Sequence, residues 1–272
     1  MDATKLTIVL PAFNEEARLG AALDELFGYL GADGGRGSGA PPVAGPWQVL
    51  VVDDGSTDDT TDLVERRLEA QPGADGRPGV LRVLRIPHGG KGAAVRAGML
   101  AAEGELVVFT DADLATPADQ IPLLVAALAD HDVALGSRVL PDGSDRRTSQ
   151  PFYRRALGFI FHALASIWVT GRVPDTQCGF KGFRRTVARD LFARQEIESI
   201  VFDAEVIHLA RRRGYRIALV PVQWSDKRGS RMRVGARLAF RVAFDLFRIP
   251  LIHRSVSRPE GMESVRSRSE SL

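Results

Sequence analysis

One cysteine, Cys178, stands in 272 residues. That excludes an intramolecular disulfide and a cysteine-based zinc site, and it fits a reducing compartment. No run of about 18 apolar residues occurs, so no helix long enough to span a bilayer is expected. The first residues, Met1 to Lys5, lack the charged, apolar and cleavage regions of a signal peptide. Large net charge is also missing: +2 overall gives no bulk argument for a nucleic-acid binder. Internal repeats are absent. No glycine fingerprint follows the first apolar run, which argues against a dinucleotide oxidoreductase. The basic residues are nonetheless uneven: Arg211, Arg212, Arg213, Arg216, Lys227, Arg228, Arg231, Arg233, Arg237, Arg241, Arg248 and Arg254 crowd the C-terminal part. Such a cluster calls for an anionic partner or a solvated face.

What is present is a soluble globular composition, 44% hydrophobic and 26% charged, in a strand–helix alternation. Apolar runs predict strands at Leu6–Leu10 (stopped by Pro11), Gln48–Val52, Val80–Ile86, Leu106–Thr110 and Asp132–Gly136. A further strand is expected at Arg216–Trp224. Helical spacing predicts helices over Glu15–Leu30, Thr57–Leu68 with Ser56 or Thr57 as cap, and Gly92–Glu103. Others are expected over Ile121–Ala129, Arg154–Val169, Val187–Phe192, Asp203–Arg213 and Val234–Arg248. The pattern predicts an α/β fold with a mainly parallel sheet, in which ligands bind beyond the carboxyl ends of the strands. Residues 1–230 read as the catalytic domain, 231–254 as a basic amphipathic helical segment, and 255–272 as a disordered tail.

The strand ends carry the chemistry. Asp111 and Asp113 share one side where the fourth run ends, and paired carboxylates suit a hard cation that shares substrate phosphates. The first run leads into Pro11-Ala12-Phe13-Asn14-Glu15-Glu16, the second into Asp53-Asp54-Gly55-Ser56-Thr57-Asp58. A carboxylate such as Asp53 or Asp54 accepts the imide N–H of a uracil or the donors of a guanine. After the third run, Gly89, Gly90 and Gly92 at a helix start let backbone approach a diphosphate, with Lys91 adding charge. Asp203 and Glu205 are the candidate bases.

Leu10–Glu16, Val52–Asp58 and Thr110–Asp113 resemble the signature segments of family 2 glycosyltransferases with the GT-A (Rossmann-like) fold. Gly136-Ser137-Arg138, Pro151–Arg154 and Asp175–Phe183 resemble the polyprenyl-phosphate branch, in particular dolichyl-phosphate β-glucosyltransferases. The resemblance covers about Leu6 to Arg254. It implies an inverting transfer of a hexose, glucose from UDP-glucose, to a polyprenyl or dolichyl phosphate. It assigns the nucleotide to Pro11, Phe13, Glu15, Asp53, Asp54, Lys91, Ala112 and Arg228, and Mg²⁺ or Mn²⁺ to Asp111 and Asp113. The acceptor phosphate falls to Arg138, Arg154 and Arg231, and catalysis to Asp113 and Asp203. A loop with Lys227, Arg228 and Arg231 would close over nucleotide or acceptor.

Phosphate, already ionised, needs no strong general base, whereas holding two anionic reactants together needs cations and arginine forks. Mannosyl relatives commonly carry Gln two residues beyond the second aspartate; Ala115 stands there and supplies no metal ligand. GDP-mannose or a hydroxyl acceptor are the rival substrates, and a non-catalytic sugar-nucleotide-binding module is the rival class. The intact aspartate pair argues against the module. Eukaryotic glucosyl relatives also carry an N-terminal membrane helix that is lacking here. Attachment is therefore expected to be peripheral, on the cytoplasmic membrane face, through the last helix. There Phe240, Phe244, Phe247 and Leu251 line one side beside Arg233, Arg237, Arg241 and Arg248.

Overall fold

The side chains of a single buried strand divide alternately between two cores, and this sets the architecture. Leu6, Ile8 and Leu10 pack into one core and Val9 into another, as the two-residue repeat of a strand requires. A sheet buried on both faces is the result, in a computed structural model that describes residues 4–31, 45–69, 79–139, 166–171, 173–225 and 236–258. Its strands are β1 (Leu6–Ala12), β2 (Trp47–Asp53), β3 (Gly79–Arg85), β4 (Leu106–Thr110), β5 (Val133–Ser137), β6 (Phe180–Arg184) and β7 (Ile217–Pro221). They lie in the order β3-β2-β1-β4-β6-β5-β7. The described helices are α1 (Glu16–Gly31), α2 (Thr60–Glu69), α3 (Lys91–Ala101), α4 (Ile121–Ala127), α5 (Arg185–Ala193), α6 (Phe202–Arg213) and α7 (Ala236–Ile252). Leucines of α1 and α4 fill one core, and side chains of α3, α5 and α6 fill the other. Each fully buried Leu or Val in these layers stabilises the fold by about 1.5–3 kcal/mol.

Two differences from the sequence expectation have clear causes. Pro11 does not stop β1, which continues to Ala12 in register with Asp53. Pairing with β4 has already ended at Val9–Phe109, so the N–H that proline lacks is not needed on that side. The second difference is β6, a five-residue strand that no apolar run announces. It is antiparallel to both β4 and β5 and separates them. Because it runs backwards, β6 begins where β4 ends: Phe180 pairs with Thr110. The segment before it is thereby delivered to the aspartate pair.

Ser56 and Thr57 do not cap α2. Asp58 accepts from the Thr60 amide at 3.0 Å instead. The Ser56 hydroxyl accepts from Asn14 N at 3.0 Å and Thr57 N donates to Asn14 Oδ1 at 2.8 Å, which ties the loop after β2 to the loop after β1.

The helix expected over 154–169 lies outside the described residues except for its end, where Ser166–Thr170 form a π-helical turn. Arg154, Lys227, Arg228, Arg231, Arg233 and residues 259–272 also lie outside them. Among the described residues no helix is long and apolar enough to cross a membrane. Helix α7 carries two apolar faces. Leu246 and Ile249 pack on Val169, Ile197, Val201 and Ala204. Phe240 (76% exposed), Phe244, Phe247 and Leu251 face outward. Trp168 joins this outer face, half exposed and stacked on Phe247 with centroids 5.5 Å apart.

Candidate active site

The carboxyl ends of β1, β2 and β4, with the loops that follow them, form one continuous edge. Phe13, at the end of β1, is 39% exposed and stacks on His88 with ring centroids 4.2 Å apart. Pro11 lies within β1, half-buried. Glu15 is held in a two-bond fork by Arg18, at 2.7 and 2.6 Å, and Arg18 Nη1 also lies 3.6 Å from Asp113 Oδ2. Arg18 therefore links the first loop to the aspartate turn.

Asp53 is buried. Its carboxylate accepts from Ser56 N at 2.9 Å and from Thr61 Oγ1 at 2.6 Å. Burial pushes its pKa up, and the bonds from Ser56 and Thr61 outweigh that and hold it below the usual value.

Asp54 is committed differently. Gly89 N and Gly90 N donate to its two oxygens at 2.8 and 2.9 Å, and His88 Nδ1 sits 2.9 Å from Oδ2. Gly92 N donates to the Glu198 carbonyl at 2.9 Å. At Gly92 a Cβ would come within 2.6–2.9 Å of the Glu198 backbone, so only glycine permits the approach. The amides of Gly89, Gly90 and Gly92, expected from sequence to cradle a diphosphate, are thus already used within the protein. Asp54 serves as the strut of the glycine loop, and what the loop presents is the side chain of Lys91. Its ammonium lies 2.5 Å from Asp111 Oδ1. Burial lowers the Lys91 pKa, but Asp111 and then Asp203 outweigh this and raise it.

The aspartates follow β4 in a tight turn. Leu114 N donates to Asp111 O at 2.9 Å, Leu114 takes φ 45°, and Ala115 N donates to Asp113 Oδ1 at 3.0 Å. Ala112 between them is buried. Both carboxylates keep part of their surface open. Among the described residues no group of three or more His, Cys, Asp or Glu side chains is placed to hold a metal. Two neighbouring hard carboxylates suit a divalent cation that completes its shell with diphosphate oxygens and water, so the donor set fits Mg²⁺ or Mn²⁺. Gly179, just before β6, lies against Asp111: a Cβ there would overlap all three carboxyl atoms.

Below this turn lies a pair that sequence reasoning did not single out. Lys181 is 0% exposed, and its ammonium donates to Asp203 Oδ1 at 2.5 Å and to the Cys178 carbonyl at 2.6 Å. Asp203 is 3% exposed. Burial raises its pKa, and Lys181 and Lys91 pull it back. The buried, ion-paired Asp203 is therefore not poised as an open general base. Glu205 is fully buried, accepting from the amides of Glu196 and Ile197 at 2.8 and 2.9 Å, with His253 Nε2 at 2.6 Å. It anchors the 196–198 segment to the end of α7. In the sequence Lys181 stands inside the Asp175–Phe183 segment that carries the family resemblance, but no helix or strand pattern marked it as a buried ion-pair partner.

Arg138, just beyond β5, is also inward. Its guanidinium forks onto Asp175 through two 2.7 Å bonds and its face lies 5.5 Å from the Trp224 ring. Burial lowers its pKa, and the Asp175 carboxylate more than compensates, raising it. The structure thus uses this fork to tie the segment before β6 to β5. Cys178 is buried, which pushes its thiol up to about 12 and makes it inert as a nucleophile.

Comparison with known proteins is consistent with this geometry. The model of glycosyl transferase family 2 matches residues 7–192. A Trichomonas vaginalis dolichyl-phosphate beta-glucosyltransferase is 35% identical over 256 residues, covering 92% of this chain and 72% of that protein. The Drosophila melanogaster dolichyl-phosphate beta-glucosyltransferase is 36% identical, covering 84% and 69%. Glucosyl-3-phosphoglycerate synthase from Mycobacterium tuberculosis, in complex with UDP, superposes with a TM-score of 0.60 at 19% identity, over 95% of this chain and 82% of that one. Other structures of that GT-A enzyme hold Mn²⁺ or Mg²⁺ with UDP.

Proposed function

The chain belongs to glycosyl transferase family 2, and from that premise we propose that this glycosyltransferase moves glucose from UDP-glucose to a dolichyl or other polyprenyl phosphate, with inversion. The observation that carries the reading is the Asp111–Asp113 turn facing Lys91 at the sheet's carboxyl edge, in a chain akin over most of its length to dolichyl-phosphate beta-glucosyltransferases. Phe13 and His88 offer flat faces to the uracil, and Asp53 accepts its imide N–H. Lys91 faces the diphosphate. Mg²⁺ or Mn²⁺, held by Asp111 and Asp113, would neutralise the charge that develops on the leaving UDP.

In the transfer an acceptor phosphate oxygen bonds to the anomeric carbon as the bond from that carbon to the UDP oxygen breaks. The phosphate is already an anion, so no proton need be taken from it. This agrees with Asp203 being locked to Lys181. Its role in this reading is to hold Lys181 and to act on Lys91 through its charge. Arg154, Arg228 and Arg231 are assigned to the acceptor and the nucleotide by family resemblance.

The test is a panel of UDP-glucose, UDP-galactose and GDP-mannose with dolichyl phosphate or dolichol, products read by mass. Glucosyl phosphoryl dolichol from UDP-glucose is expected as the dominant product. Transfer only from GDP-mannose, or only to the free alcohol, would overturn the reading.

A lipid acceptor also requires a surface that reaches the bilayer. Phe240, Phe244, Phe247, Leu251 and Trp168 form an exposed apolar face flanked by Arg241 and Arg248, suited to the headgroup region of an anionic membrane. Residues 231–254 are in this reading the membrane-docking segment, peripheral on the cytoplasmic face. Flotation with phosphatidylglycerol-containing vesicles tests it. The double variant Phe244→Ser/Phe247→Ser is expected to bind at least about thirtyfold more weakly, since each buried ring is worth ~1 kcal/mol or more. Unchanged flotation would rule this face out.

A further inference from the structure

We propose that Lys91 is the resident counter-ion of Asp111 and gates the metal position: a divalent cation gains full access to Asp111 only after the sugar nucleotide's diphosphate has drawn the ammonium away. The inference rests on the reading above that Asp111 and Asp113 hold the metal of a sugar nucleotide.

Three features carry it. First, the ammonium already sits on the carboxylate, 2.5 Å from Asp111 Oδ1, and so occupies the position of a cation. Second, the backbone around Lys91 is immobilised on both sides. Gly89 N and Gly90 N are bound by Asp54, Gly92 N by the Glu198 carbonyl, and Gln195 Nε2 donates to Gly92 O at 3.0 Å. With the main chain pinned, only the four-carbon stem moves, so Lys91 swings between Asp111 and a nearby phosphate without remodelling the loop. Third, the anion behind it is already matched. Asp203 acts on Lys91, yet its own carboxylate is paired with Lys181. Asp203 therefore does not offer Lys91 a free second seat, and leaving Asp111 becomes favourable when a phosphate supplies one. An ammonium and a divalent cation on one carboxylate repel each other, which couples the two binding events and makes the coupling reciprocal.

The test separates gating from simple phosphate binding by measuring Mn²⁺ without nucleotide. Free Mn²⁺ is titrated by electron paramagnetic resonance against the full chain, its Lys91→Met and Lys91→Arg variants, and Lys91→Met/Asp111→Asn. Lys91→Met is expected to bind Mn²⁺ alone about fivefold or more tightly than the parent. Lys91→Arg, which keeps the charge, is expected to stay within about twofold of the parent, and the double variant to lose the gain. In parallel, Lys91→Met is expected to bind UDP more weakly in EDTA. Equal Mn²⁺ affinity of parent and Lys91→Met, with UDP still strengthening Mn²⁺ binding, would overturn the gate and leave the proposed function standing. No Mn²⁺ binding by the parent even with UDP would overturn both.

Discussion

Replacing Asp111 by asparagine is expected to lower kcat/KM for glucosyl transfer by roughly 10²–10³-fold, about 3–4 kcal/mol of transition-state stabilisation. The substitution keeps the shape of the side chain and removes its charge. That charge balances Lys91 in the free protein and is one of the two hard donors of the turn. Asp113 alone offers one carboxylate, and its Oδ1 already accepts from Ala115 N. Fold stability is expected to change little, because Asp111 is part exposed and the turn's backbone bond, from Leu114 N to Asp111 O, survives. Steady-state kinetics with saturating Mn²⁺, paired with a thermal melt, provide the check. Activity within threefold of the parent would remove Asp111 from the reaction.

The largest stability effect is expected at Lys181→Met, a loss of about 3–5 kcal/mol. Lys181 is completely buried, and its removal leaves the Asp203 carboxylate without its ion-pair partner and the Cys178 carbonyl without its donor. Unpaired burial is the costly term, so Lys181→Met/Asp203→Asn should be less destabilised than Lys181→Met alone. The pH dependence follows the same logic. Burial already raises the Asp203 pKa above 3.8, and losing Lys181 raises it further. A carboxyl with a raised folded-state pKa favours folding when protonated, so the deficit of Lys181→Met should shrink as pH falls. Urea unfolding across pH 5 to 8 reads both effects. Equal losses in the single and double variants would show that the ion pair is not the cause.

Much of the fold was legible because parallel strands buried on both faces read as continuous apolar runs. β1, β2 and β4 announce themselves this way, as do the leucines of α1, whereas the edge strand β3 is interrupted by the exposed Arg82 and Arg85. β6 does not. Phe180-Lys181-Gly182-Phe183-Arg184 has neither a clean apolar run nor alternation, and it becomes a strand because β4 and β5 bind it on either side. The polar clusters at the strand ends were equally readable, since Pro11–Glu16, Asp53–Asp58 and Asp111–Asp113 each follow an apolar run directly.

What the sequence alone determined is therefore the class of fold, the strand edge where the polar groups collect and the family signature they spell, because apolar periodicity and strand ends are local properties. Which group each of those side chains meets was settled only by tertiary structure. Asp54 is taken by glycine amides 35 and 36 residues away, Arg138 by Asp175, and Asp203 by Lys181. Two aspartates side by side in sequence, Asp53 and Asp54, thus end with different work. Neighbouring residues at a strand end point to different sides, and only the packed partner on each side decides whether a carboxylate stays open to a ligand or becomes part of the frame.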